Sequence, residues 1–274
     1  MADLVIIGSC ASGVVQRSIQ PSLIDDTSIV DLSGARWFTP FGLVSVLAFI
    51  EAQARTGVSV RFTPPTDPSH RSYLSRMRLG DRLDHLGVSH ELPSVRSHPN
   101  RRLVELYSFE SRDDVGPLAE RIFDMVNPLD SVAARALYRS LCEAGENVEF
   151  HAGLSNGYMA AQTTRDWGTD PTLRFAVADS GHGFLFNLLA KGATDDAHAL
   201  RLALSGVSSS SAPGNRGGLK GLAGLLTAVG GSITVSSGSA AVSKDRSSTT
   251  EKSFDEPFQG SVFEGVVPLR ARAS

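Results

Sequence analysis

Three groups of residues in this chain have types and spacings that can do chemistry. The first is Glu143, Asn147 and His151, which recur every fourth residue. On a helix they share one face. That face presents a carboxylate, a carboxamide and an imidazole in a row: a general base, an oxygen able to hold a metal ion, and a polar anchor. A solvated helix face has the same pattern, so its meaning depends on the residues downstream of it. The second group is Asp179-Ser180-Gly181-His182-Gly183, closing the apolar run Leu173 to Ala178. A carboxylate held at a strand end can accept a hydrogen bond from an exocyclic amine such as that of adenine. Gly181 and Gly183 permit positive φ and close backbone approach; the plain alternative is a simple turn. The third is the Gly/Ser-rich stretch from Ser205 to Gly218, which carries Arg216 and Gly217 and enters an apolar segment with Lys220 and Gly221 near its start. A helix N-terminus with free N–H groups is a phosphate cradle, and Arg216 and Lys220 add positive charge. The plain alternative is a flexible linker.

The elements that must position these groups are readable from periodicity. Leu4 to Ile7 and Ser28 to Leu32 are β-branched runs, predicted as strands. Leu43, Val46, Leu47, Ile50 and Ala54 predict a helix over 37–56, with Thr39 as N-cap, Pro40 as first helical residue and Gly57 as stop. Val58 to Phe62 follows as a strand, Ser69 to Leu83 as one helix, Leu103 to Phe109 as a strand and Val115 to Met125 as a helix. This βαβαβ order implies a small α/β layer. Leu129 to Phe150 reads as a single helix carrying the first chemical group. Tyr158 to Thr164 and Leu173 to Ala178 read as strands, and Leu219 to Val229 as a helix. A Gly230-Gly231 turn leads into a strand from Ser232 to Ser236, a polar loop from Gly238 to Gln259, and a last strand from Ser261 to Leu269.

Composition bounds the function. The chain has 274 residues, 41% apolar and 20% charged, with a formal net charge of −3. That length accommodates two domains with cores of ordinary density. The absence of a basic excess argues against nucleic acid, and the absence of a polybasic cluster argues against an anionic membrane. Cys10 and Cys142, far apart in sequence, form neither a disulfide framework nor a zinc site, in keeping with a reducing compartment. The start lacks the basic and apolar regions of a signal peptide, and the apolar run Phe41 to Ile50 is too short to span a bilayer. The expectation is a cytoplasmic protein.

Two resemblances attach to these residues. Val30-Asp31-Leu32-Ser33, then Phe38-Thr39-Pro40-Phe41-Gly42, the helix, and Val58-Ser59-Val60-Arg61-Phe62 resemble a STAS domain, the fold of the anti-sigma-factor antagonists, over residues 25–90. The family's phosphate-accepting serine ahead of the helix-start glycine is absent, because Pro40 and Phe41 stand there. The resemblance therefore implies a docking module without the phosphoacceptor, and Ser45, one turn inside the helix, is expected to be structural. From residue 129 to 270, the order of Glu-x-x-x-Asn-x-x-x-His helix, Asp-x-Gly-x-Gly strand end, Gly-rich lid, helix, Gly-Gly turn and two strands resembles the GHKL ATPase fold. The expected organisation is an amino-terminal STAS-like α/β layer (1–112) followed by a GHKL (Bergerat) two-layer α/β sandwich with a mixed sheet (113–274).

The second resemblance implies roles. Glu143 matches the residue that activates a water or protein hydroxyl for attack on the γ-phosphate. Asn147 matches the Mg²⁺-holding oxygen. Asp179 matches the adenine reader, with Gly181 and Gly183 shaping the base pocket, and Gly217, Gly218 and Gly221 match the phosphate-facing glycines. Lys220 interrupts their usual spacing. No helical hairpin with a phosphoacceptor histidine precedes this half, so a histidine autokinase is not expected. The implied protein is an ATP- and Mg²⁺-dependent switch enzyme, a slow ATPase or serine/threonine protein kinase acting on a protein partner. The rival readings are a catalytically inactive nucleotide-binding or interaction module, and an ATPase whose lid closure drives formation of a homodimer. The 112–130 stretch is not linker-like, so the two halves are expected to pack together.

Overall fold

The computed structural model describes residues 1–24, 26–95, 103–128, 131–132, 134–135, 137–139, 141–142, 156–164, 171–208 and 218–269. Among these, the strands form two sheets. The first has order β2-β1-β3-β4, with β1 (Ala2–Cys10), β2 (Ile19–Pro21), β3 (Thr27–Phe38) and β4 (Ser59–Thr63). β1, β3 and β4 run parallel, and β2 is antiparallel to β1. The short helix α1 (Val14–Arg17) joins β1 to β2, and α2 (Pro40–Arg55) joins β3 to β4. The second sheet has order β5-β6-β7-β9-β8, with β5 (Leu103–Phe109), β6 (Gly157–Thr164), β7 (Thr172–Asp179), β8 (Ser232–Lys244) and β9 (Thr249–Pro268). Every neighbouring pair in it is antiparallel. The fold class is therefore α/β, with one mixed sheet and one antiparallel sheet. The expected mixed order in the carboxy-terminal sheet is corrected: β8 and β9 form a hairpin, and β9 slots between β8 and β7 while opposing both.

The helix α2 sits at the middle of the molecule. Thr39 caps it, its Oγ1 accepting from the Gly42 N–H at 3.3 Å, and Gly57 ends it at φ +82°. All residues from Pro40 to Gln53 are buried, as expected for a helix apolar on all sides. One side meets Leu4, Ile6, Val30, Leu32 and Phe62 of the first sheet. The other meets Tyr158, Ala160, Ala176, Ala178 and Val262 of the second. Alanine at 160, 176 and 178 lets the helix approach the second sheet closely. The far face of that sheet carries Met159, Phe175, Val177 and Val235, and it packs on α5 (Arg112–Val126), on the helical residues described between 131 and 142, and on α8 (Gly218–Ala228). The layers thus stack as sheet, helix, sheet, helix. Because both faces of β7 are covered, its sequence lacks the apolar–polar alternation of a half-exposed strand.

Several boundaries differ from those expected. The helix over 69–83 is two helices, α3 (Pro68–Arg76) and α4 (Leu79–His85). Arg78 between them adopts φ +64°, and the Met77 carbonyl accepts from the Leu106 N–H of β5 at 3.0 Å instead of continuing the helix. β5 itself pairs with β6 in the second sheet rather than joining the amino-terminal layer. Within 129–150, the described residues between 131 and 142 are helical, and 143–150 lie outside the described residues. The stretch 238–259 is not a loop: β8 and β9 continue through it as a β-ribbon, with bulges near Gly238 and Gly260. Its tip folds around Asp245. The N–H groups and hydroxyls of Ser247 and Ser248 donate to this carboxylate and hold its pKa down at about 2. Two further helices, α6 (Gly183–Leu188) and α7 (Asp196–Ser205), have no counterpart among the expected elements. No helix among the described residues is long and apolar enough to cross a membrane.

Candidate functional site

Asp179 is the last residue of β7, the middle strand of the second sheet, and it is buried. Register places it opposite Gly157 of β6 and Ser261 of β9. Its Oδ1 accepts from the Gly181 N–H at 2.8 Å, and its Oδ2 accepts a short hydrogen bond from the Ser261 hydroxyl. Burial, with a smaller contribution from the Glu51 charge, pushes the carboxyl pKa upward, and the Ser261 hydroxyl, the Gly181 N–H and the Ser261 N–H oppose that shift. A carboxylate has about four lone-pair sites, so these donors leave some acceptor capacity unused. The arrangement is a rigid acceptor with an adjacent hydroxyl, suited to the donor edge of an amino-heterocycle and repulsive to phosphate.

The glycines around it have specific causes. Gly183 has φ +76°, and a Cβ there would come within 2.5 Å of the Ser237 Oγ. That hydroxyl accepts from the Phe184 N–H at 3.1 Å at the start of α6 and donates to the Gly260 carbonyl at 2.7 Å. Gly260 has φ +97°, and a Cβ on it would lie 2.0 Å from the Asp179 carbonyl oxygen. The β9 bulge therefore seats directly against the Asp179 turn. His182 is exposed and stacks on Phe186, with ring centroids 4.5 Å apart.

Of the residues singled out by sequence, Asp179, Gly181 and Gly183 come together in this one turn. Gly218 opens α8 and is half-buried, while Lys220 and Gly221 are exposed on its first turn. The Lys220 stem lies against Gly206, the left-handed residue that ends α7. Glu143, Asn147, His151, Arg216 and Gly217 lie outside the described residues. No group of three or more His, Cys, Asp or Glu among the described residues is placed to hold a metal ion.

Comparison with family models, with curated proteins and with solved structures returned no match to this chain.

Ser261, Ser237, Gly260 and Glu51 have no role in the sequence-based assignment. Ser261 stands at the head of a predicted strand, but only register places it opposite residue 179, and no local signal carries register. An open groove of about 490 Å³ runs along the free edge of β4, between Arg61 and His90, and shares no residue with the Asp179 turn.

Proposed function

We propose that the Asp179 turn reads the adenine of ATP and that the chain is an ATP-binding regulatory protein of the GHKL type. In this reading the STAS-like amino-terminal layer serves partner docking or autoregulation. The observation that carries it is the buried Asp179 carboxylate at the end of the middle strand, aimed by the Gly181 N–H and the Ser261 hydroxyl. Both of these donors are spent on Asp179, so what the turn offers a ligand is the remaining acceptor capacity of the carboxylate, which fits the exocyclic amine of adenine. Because the carboxylate repels phosphate, the base sits here and the phosphates extend away from it. Glu143 as base and Asn147 as Mg²⁺ ligand remain assignments from helical spacing and family resemblance. A bound Mg²⁺ would supply charge neutralisation on the phosphates.

A second reading, nucleotide binding without turnover, is favoured by Lys220. It interrupts the glycine spacing, and its stem packs on Gly206 rather than standing free.

Calorimetric titration with Mg-ATP tests the proposal. Wild type is expected to bind in the micromolar range. Asp179→Ala, folded by circular dichroism, is expected to lose affinity by about tenfold or more, the size of a hydrogen bond to a charged acceptor. GTP, which presents a carbonyl where adenine presents an amine, is expected to bind more weakly than ATP. No binding to folded wild type would retire the assignment. Binding without phosphate release or transfer would select the second reading.

A further inference from the structure

We infer that Glu51, on the central helix of the amino-terminal layer, is a positioning residue for the Asp179 turn, which makes α2 a part of the nucleotide site. The functional consequence rests on the nucleotide reading above; the positioning itself does not. Glu51 is 4% exposed. Its Oε2 accepts from the Ser180 hydroxyl at 2.7 Å. Its Oε1 accepts from Asn156 through the side-chain Nδ2 at 2.6 Å and the backbone N–H at 3.3 Å. Arg55, one helical turn on, reaches the same serine: its guanidinium lies 3.4 Å from the Ser180 hydroxyl and 3.5 Å from the Ser180 carbonyl oxygen.

These contacts fall on particular chain positions. Ser180 is the residue between Asp179 and Gly181, and it is fully buried. Asn156 immediately precedes Gly157, which pairs with Asp179 across the sheet. One carboxylate therefore fastens the turn after β7 and the chain entering β6. The orientation of the Ser180 peptide decides whether the Gly181 N–H points back at the Asp179 carboxylate, so Glu51 acts on Asp179 through Ser180.

Simple packing does not explain the residue. Apart from Tyr158 and Glu264, the buried side chains that the second sheet turns towards α2 are alanine, valine, phenylalanine and leucine, and an apolar side chain at position 51 would serve that contact without the cost of burying a charge. The Tyr158 side chain is buried in the same region. Its own burial and then the Glu51 charge push the ionisation of that phenol upward. A buried carboxylate with several donors, all on one turn and the adjoining strand entry, is a device for orientation. By linkage, whatever shifts α2 within the first layer changes nucleotide affinity, and nucleotide binding stabilises the packed position of α2 to the same degree.

The test uses the full chain with Glu51→Ala, Glu51→Gln and Ser180→Ala. Amide hydrogen exchange is first measured without nucleotide. The Gly181 and Phe184 amides are expected to exchange about tenfold or more faster in Glu51→Ala, while amides of Leu173 to Val177 keep their wild-type protection. Ser180→Ala should reproduce this local change. Glu51→Gln keeps one acceptor oxygen for the Ser180 and Asn156 donors that Glu51 serves with two, so it should restore the protection only in part. ATP affinity is expected to follow the same order. A folded Glu51→Ala protein whose turn amides exchange as in wild type overturns the inference, as does loosening spread evenly over the second sheet, which marks a merely structural role. Should Glu51→Ala not fold, Ser180→Ala decides by the same criterion. If wild type binds no ATP, the proposed function falls, and the exchange data still decide the positioning role.

Discussion

Gly42→Ala is expected to destabilise the protein by about 3 kcal/mol, the upper range for overpacking a close contact. For a chain of this size that corresponds to a melting temperature lower by roughly 6–12 °C. A Cβ on Gly42 would sit 2.1 Å from the Cys10 carbonyl oxygen and 2.7 Å from its Sγ. The carbonyl cannot easily retreat, because it accepts from the Thr39 N–H at 3.1 Å and is approached by the Thr39 hydroxyl at 3.3 Å. The first turn of α2 is thus pressed against the end of β1, and only hydrogen fits between them. Gly224→Ala provides the contrast. It is exposed inside α8 with nothing near its would-be Cβ, so alanine should stabilise by up to about 1 kcal/mol through helix propensity alone. Thermal unfolding of both variants checks the pair. A Gly42→Ala protein melting with wild type would mean that α2 and β1 do not approach so closely.

Glu264→Gln is expected to stabilise the protein at pH 8 by up to about 3 kcal/mol and to have little effect near pH 4.5. Glu264 lies on β9, on the face towards α2, and is 6% exposed. Burial raises its pKa from 4.5 to about 7, opposed by the Arg174 guanidinium 3.7 Å away. Its Oε1 has no hydrogen-bond partner among the described residues. Since the folded pKa lies above the unfolded one, the folded state holds the proton between about pH 4.5 and 7 while the unfolded chain has lost it. Stability therefore falls as pH rises through that window, and the full penalty is present above it. Asp179 is shifted in the same sense, so the wild-type slope contains both groups, and the difference between wild type and Glu264→Gln isolates one. Urea unfolding at pH 5 and pH 8 measures it. An equal effect of the substitution at both values would show that the carboxyl titrates normally.

Local signals are reliable where the physics is local. Thr39 as cap, Pro40 as first helical residue and Gly57 as stop locate α2, because capping and left-handed termination involve only a few neighbouring residues. The apolar run ending at Asp179 locates β7 and its turn for the same reason. α7 carries signals of the same kind, although it is missing from the expected elements: Asp195 caps it by accepting from the His198 N–H at 2.8 Å, Ala199, Leu200, Ala203 and Leu204 face inward, and Gly206 ends it. The ribbon beyond Gly238 is harder to read. Its residues from 245 to 253 are polar and exposed, and hydropathy does not distinguish such a hairpin from a loop.

Read along the chain, the residues suffice for most of the local elements, for the α/β class and for the residue types gathered at the Asp179 turn. Caps, turns and periodicity are short-range, so a linear reading preserves them. The meeting of distant elements is settled only in the folded molecule. β5 leaves the layer it follows in sequence and joins the second sheet, β9 brings Ser261 opposite Asp179, and α2 carries Glu51 from the first layer to Ser180. Strand register and layer docking are set by the packing of whole faces, through contacts more than a hundred residues apart along the chain in the case of Glu51 and Ser180, and no local pattern records them.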